Sequence, residues 1–282
     1  MKTYKSLKIA IVVVLLAFLM SVLLACNGSG GGGNGGGFSG GNQGGGQNGG
    51  NGSQNGGSDV DLLQSSFLNV SYGVEEGQTL NIFHPRPAGQ IVPQNGLVFM
   101  VIPDENEDKD DFSDLIELLT AISFLNIHVS VVVINYSENA LDSISLALQF
   151  IYGRGADFRL RNDRVALIGN SFGGYLALLH TLTRASDVGV PLVITLGAPT
   201  ANLMQYITAN NAPALFMMHG LSDSVTPFYE MINVFNLYNN LGLRDRIEIV
   251  MLEGAGHNLL NYPEKIEANI LEIWSLLQFL IV

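Results

Sequence analysis

Cysteine is almost absent from this sequence, and the single thiol is Cys26. That excludes a disulfide within the chain and any cluster of cysteine ligands around a metal. Basic side chains are also scarce, with 13 Lys and Arg against 25 Asp and Glu in 282 residues and a formal charge of −12. Three of the lysines, Lys2, Lys5 and Lys8, open the chain, and the remainder stands at −15. Phosphate recognition needs clustered Lys and Arg, so nucleic acid is not an expected partner. Charge-driven docking of the folded part on anionic lipid is disfavoured for the same reason. Aliphatic and charged residues are missing altogether from residues 27–58, which hold 18 of the 33 glycines with six Asn, four Ser, three Gln and one Phe. Such a stretch has too little apolar surface to offset the entropy of ordering it. A flexible tether is expected there, spanning roughly 30 Å as a coil. Phosphate-cradling glycine loops are short and join a strand to a helix, so this stretch is not read as one.

What precedes the tether reads as an export signal. Three lysines lead into 17 almost wholly apolar residues, 9–25, and small Ala25 stands just before Cys26. A permanent membrane helix needs about 20 apolar residues, which leaves an uncleaved helix as the alternative. Leu23-Leu24-Ala25-Cys26 resembles the bacterial lipobox. The resemblance implies a signal peptide over 1–25, diacylglycerol on the Cys26 thiol, and an acylated, extracytoplasmic protein held on a bilayer. With Asn27 next, it implies the outer membrane if the host is Gram-negative. The expected organisation is therefore leader 1–25, lipidated Cys26 with linker 26–58, and one domain over 59–282. The 224 residues of that domain suffice for one well-filled core.

Within the domain, β-branched apolar runs alternate with helix-period segments. Strands are expected at Phe67–Tyr72, Thr79–Phe83, Leu97–Ile102, Val129–Ile134, Val165–Ile168, Leu192–Leu196, Ala214–Met218 and Ile247–Met251. Helices are expected at Phe112–Phe124, Leu141–Tyr152, Gly173–Arg184, Ala201–Ala209, Phe228–Leu241 and Pro263–Leu280. Uninterrupted apolar strands between helices indicate an α/β domain with a mostly parallel sheet covered on both faces.

Gly169-Asn-Ser171-Phe-Gly173 stands between an expected strand and an expected helix. A serine there occupies a strained turn whose neighbours at ±2 must be small, and the following N–H groups open a helix and can hold an oxyanion. A serine hydroxyl needs a base. Of five histidines, His84 lies in an early loop, His128 opens a strand, His180 lies within a helix and His219 ends a strand. His257 follows the last strand in a glycine-rich loop, Glu253-Gly-Ala-Gly-His257. The chain order Ser, acid, His asks for a carboxylate between them. Asp223 sits in a loop, while Asp187, Glu230, Asp245, Glu248 and Glu253 remain as rivals, mostly on expected helices or strands.

These residues carry a resemblance to the α/β-hydrolase superfamily. The match runs from about Tyr72 to the C-terminus. It rests on Asn162-Asp-Arg-Val-Ala-Leu-Ile-Gly-Asn-Ser-Phe-Gly-Gly174, His219-Gly-x-x-Asp223-x-Val225-x-Pro227 and Gly254-Ala-Gly-His257. The chain is similar to lidless esterases such as feruloyl and acetyl-xylan esterases and to the prolyl-oligopeptidase catalytic domain. The resemblance implies a sheet of about eight strands without a large cap. It further implies hydrolysis of small or polysaccharide-linked carboxylic esters by Ser171, Asp223 and His257, with no cofactor. A serine peptidase and a catalytically weak binding module are the alternatives. Phe172 N–H would be one oxyanion donor. The second would come from Asp104 or Glu105, because Pro103-Asp-Glu-Asn-Glu-Asp-Lys-Asp-Asp111 replaces the family's glycine run. That loop carries six carboxylates and is expected to repel anionic esters if it lies at the mouth. Its Asp104-x-Asn106-x-Asp108 also imitates the start of a calcium loop, but Lys109 and Leu115 stand where Gly and Glu are required, so no metal is expected.

Overall fold

The computed structural model describes residues 66–85, 96–109, 111–121, 123–124, 127–184, 189–273 and 275–276. The expected leader, Cys26 and the glycine-rich tether lie outside the described residues.

The sheet is built from β1 (Ser66–Ser71), β2 (Thr79–Phe83), β3 (Gly96–Ile102), β4 (Ser123–Phe124), β5 (Ile127–Ile134), β6 (Val165–Asn170), β7 (Leu192–Leu196), β8 (Ala214–Gly220) and β9 (Ile247–Leu252). The order is β1-β2-β5-β3-β6-β7-β8-β9, with β4 attached to β5. Pairing from β5 through β9 is parallel, whereas β1–β2, β2–β5 and β4–β5 are antiparallel. Among the described residues the helices are α1 (Ser113–Ala121), α2 (Ala140–Arg154), α3 (Ser171–Thr183), α4 (Tyr229–Asn240) and α5 (Pro263–Ile270).

Every residue of β3, β6, β7 and β8 is buried, which is why those segments show no polar alternation. Successive side chains nevertheless go to opposite faces. Val98, Met100, Leu167 and Leu215 join a core completed by Ile144 and Leu148 of α2, Leu178 of α3 and Val234 of α4. Leu97, Phe99, Ile168 and Phe216 join a second core closed by Leu119 of α1 and Ile266 of α5. Burying each such side chain contributes roughly 1.5–3 kcal/mol.

Three expected helices are shorter or different. α1 stops at Ala121, and Ser123–Phe124 instead pairs with His128 and Ile127 of β5. Over 201–209 only a 3-10 helix forms, Ala201–Tyr206. Its start is held by Glu230, whose Oε2 accepts from Thr200 and Ala201 N–H at 2.7 and 2.9 Å. Beyond it Ile207 is extended, and the Thr208 N–H goes to the Asn211 side chain at 2.8 Å rather than into a helical turn. α5 gives way to a 3-10 turn at Leu271–Ile273, and residues 277–282 lie outside the described residues.

Just past β2, His84 is buried with Nδ1 2.9 Å from Ser130 Oγ of β5. Burial, and then the Arg159 guanidinium, push its imidazole down to about 4 from the usual 6.5. The unfolded chain therefore binds a proton that the native chain refuses as pH falls from 6.5 towards 4. Stability is lost across that window, by on the order of 3 kcal/mol at its acid end. Urea unfolding midpoints at pH 7 and pH 4.5 should separate much less in a His84→Gln variant than in the wild type. Equal separation would remove His84 as the cause.

Candidate active site

Parallel order places the carboxyl ends of β6, β7, β8 and β9 side by side, and chemistry-bearing residues follow three of them. After β6 the chain turns sharply: Ser171 has φ 48°, a left-handed conformation that costs a non-glycine residue energy. The turn closes only because its neighbours lack side chains. A Cβ on Gly169 would lie 2.3 Å from the Gly173 carbonyl carbon, and one on Gly173 would lie 2.1 Å from Ile102 O.

After β8, Asp223 sits in a turn closed by its own N–H to Gly220 O at 3.2 Å. After β9, the loop through Gly254 (φ 70°) carries His257 back over the sheet ends. The two loops cross with their backbones in contact: a Cβ on Gly220 would lie 2.3 Å from Gly256 O and 2.4 Å from Ala255 O. Gly197, past β7, lies beneath, where a Cβ would meet His257 O at 2.8 Å.

The structure brings Ser171, His257 and Asp223 into one line of hydrogen bonds. Ser171 Oγ is 2.8 Å from His257 Nε2, and His257 Nδ1 is 2.8 Å from Asp223 Oδ2. Asp223 Oδ1 accepts from Val225 and Thr226 N–H at 2.8 Å each. Burial alone would push the Asp223 carboxyl up, but the bonds from His257, Thr226 and Val225 outweigh it and hold the group below its usual value. An anion at Asp223 favours hydrogen on His257 Nδ1, leaving Nε2 as an acceptor towards Ser171. Of the rivals, Glu230 caps the 3-10 helix as described, Glu248 lies 3.9 Å from Arg244, and Asp187 lies outside the described residues. Of the other histidines, His180 is buried against Ser145 Oγ at 2.9 Å.

Phe172 N–H belongs to the first turn of α3, where a helix has no internal acceptor to offer. Its ring stacks on Tyr175 with centroids 5.4 Å apart. Asp104 differs from expectation. Its N–H is not open but donates to Glu107 Oε2 at 2.9 Å, while Glu107 N–H returns to Asp104 O at 3.1 Å. Asp104–Glu107 is thus a turn closed through the backbone, with the Glu107 side chain reaching back to its first N–H. Glu107 Oε1 accepts from Asn170 Nδ2 at 2.7 Å, and Asn170 Nδ2 also reaches Asn258 Oδ1 at 3.3 Å. A carboxylate thus ties the β3 exit to the residue before Ser171 and the residue after His257. Burial pushes the Glu107 carboxyl up, aided by Asp104 and Asp111 and opposed by its two hydrogen bonds. Tyr136, which donates to Pro103 O at 3.1 Å, is pushed up to about 12 by burial and then by Asp104, Glu105 and Glu107. In the same loop Asp108 N–H donates to Asp111 Oδ2 at 2.6 Å, so Asp111, like Glu107, serves the loop's own backbone. Among the described residues, no three His, Cys, Asp or Glu side chains are grouped to hold a metal ion.

Sequence reasoning missed Glu107, Asn170 and Asn258 as neighbours of the site. For Glu107 the spacing offered only that a side chain three residues on can reach the first N–H of a turn. For the two asparagines there was none.

The architecture is that of the α/β-hydrolase fold, with a mostly parallel sheet flanked by helices. The span from β7 to β8 carries only the short 3-10 helix and no cap. Among solved structures the chain is similar to a truncated carbohydrate esterase from gut microbiota. That match has a TM-score of 0.57 and 15% identity, and covers 75% of this chain and 97% of the other. It is also similar to a thermophilic esterase of the planctomycete Thermogutta terrifontis in its propionate-bound form, with a TM-score of 0.62 and 14% identity over 78% and 97% of the two chains. A form of that esterase phosphoramylated by tabun aligns over the same 78% and 97%, with a TM-score of 0.60 and 14% identity. No family model and no curated protein sequence matches the chain.

Proposed function

We propose that the chain is a serine hydrolase of carboxylic esters. The observation that carries this reading is the unbroken line Ser171–His257–Asp223, with 2.8 Å at each step, on a strained turn at the strand ends. Ser171 Oγ attacks the ester carbonyl carbon while His257 Nε2 takes its proton. Asp223 holds the Nδ1 hydrogen and stabilises the imidazolium. Negative charge gathers on the carbonyl oxygen, where Phe172 N–H donates. Collapse expels the alcohol, protonated by His257, and leaves an acyl-serine. Water, deprotonated by His257, then releases the acid. No cofactor takes part in this sequence. The esterase names of the similar structures support an ester, and the carbohydrate esterase extends the choice to esters linked to polysaccharide.

The test is labelling of the full chain by a fluorophosphonate probe alongside turnover of short-chain p-nitrophenyl esters. Labelling that persists in Ser171→Ala would count against Ser171. Folded wild type with neither labelling nor turnover would favour a binding module. The occupied Asp104 N–H is the observation behind that second reading.

We further propose that residues 1–25 are a signal peptide and that Cys26 carries lipid, holding the domain on an extracytoplasmic bilayer by the linker 26–58. In a Gram-negative host this would be the outer membrane. The support is the Leu23-Leu24-Ala25-Cys26 tetrad after the apolar run and the absence of any other cysteine. Cys26→Ser should abolish incorporation of a fatty-acid analogue in a bacterial host and leave a heavier precursor. An unchanged mass and unchanged labelling would return the leader to an uncleaved helix.

A further inference from the structure

Asp223 has a second imidazole beside it. β8 ends at Gly220 and the chain folds back, so that His219 Nε2 lies 2.9 Å from Thr226 O and 3.1 Å from Asp223 Oδ2. Both side chains are sealed from solvent, at 1% and 0% exposure, while that of His257 is 22% exposed. A carbonyl oxygen has no proton to give, so His219 Nε2 carries the hydrogen. That N–H lies next to Oδ2, the same oxygen that accepts from His257 Nδ1.

Thr226 closes the arrangement. Its N–H holds Asp223 Oδ1 at 2.8 Å, and its carbonyl holds His219 Nε2. Imidazole, turn and carboxylate therefore fix one another, and the carboxylate is pinned at both oxygens. Without His219, Oδ1 would keep its two backbone donors. Oδ2 would have only His257, the more exposed of the two rings, and Thr226 O would be left buried without a donor. An apolar side chain of similar volume could fill the space but could supply no N–H.

We propose, on the serine-hydrolase reading above, that His219 is a positioning residue that fixes the rotamer of Asp223 and, through it, the tautomer and tilt of His257. It reaches no substrate, so it acts on turnover and not on substrate affinity. His219→Leu should lower kcat about tenfold, the scale of one lost buried hydrogen bond with the charge–dipole contact beside it, with KM within about twofold. His219→Gln, which can return an N–H towards Thr226 O and Oδ2, should recover most of that loss. A folded His219→Leu protein with wild-type kcat, or a His219→Gln protein no better than His219→Leu, would overturn the proposal.

Nitrogen NMR of the histidine-labelled protein tests the arrangement without relying on turnover. His219 should appear as the Nε2–H tautomer, and its Nε2 signal should move in Asp223→Asn. An Nδ1–H tautomer, or an Nε2 signal indifferent to Asp223→Asn, would equally overturn it. If the wild type neither labels with fluorophosphonate nor turns over esters, the hydrolase reading falls instead. The NMR result then still shows whether His219 holds the carboxylate.

Discussion

Asp223→Asn is expected to lower kcat on a short-chain ester by about 10⁴-fold, although it replaces one oxygen by one nitrogen. The Asn carbonyl oxygen would keep the Val225 and Thr226 N–H donors that now hold Oδ1 at 2.8 Å. Its NH2 would then stand where Oδ2 stands, facing His257 Nδ1. Two donors repel, so His257 would move its hydrogen to Nε2. A ring with hydrogen on Nε2 is unable to accept the proton of Ser171. Ser171→Ala and His257→Ala should each lower kcat/KM by at least ~10³-fold, and combining them should add little, because the three side chains act as one unit. The check is steady-state kinetics beside thermal unfolding of each variant. Near-wild-type turnover in a folded Asp223→Asn protein would show that the observed line of hydrogen bonds does not carry the reaction.

The sheet was legible in sequence because of how it is covered. β3, β6 and β8 are buried on both faces, so Leu97–Ile102, Val165–Ile168 and Ala214–Met218 read as apolar runs without alternation. The strained turn at Ser171 was legible because its geometry excludes side chains: Gly169 and Gly173 stand where a Cβ would lie within 2.5 Å of backbone. The failures occur where a distant side chain decides a local conformation. Residues 201–209 have a helical pattern, yet Glu230 and Asn211 take the N–H groups of Thr200, Ala201 and Thr208 and shape a short 3-10 helix. Ser123–Phe124 looked like the end of a helix, but β5 offers it a strand to pair with. His219 was weighed only as a base and set aside, because nothing in its spacing reveals that Thr226 O and Asp223 Oδ2 converge on one ring nitrogen.

The same kind of long-range contact governs the oxyanion side. Ile102 of β3 is in register with Gly169 of β6, and the carbonyls of Ile102 and Pro103 press on Gly173. On the serine-hydrolase reading, the next amide, that of Asp104, is expected beside the turn at Ser171 and would be the second oxyanion donor. Glu107 Oε2 occupies it at 2.9 Å. Glu107→Ala should free the amide and remove a negative charge from the region of the developing oxyanion. One such donor is worth about 10²–10³ in turnover, so kcat on neutral esters should rise by about tenfold or more. Glu107→Gln, uncharged but able to accept the same N–H, should fall between the two. Asn170 loses its 2.7 Å acceptor in Glu107→Ala and keeps Asn258 Oδ1, so stability should drop by about 1 kcal/mol. The advantage should narrow as pH falls, because burial raises the Glu107 carboxyl above its usual range and it takes up its proton early. Turnover that stays level or falls in both variants, with the fold intact, would mean that the Asp104 N–H faces away from the reacting carbonyl. Phe172 N–H would then stand without that partner.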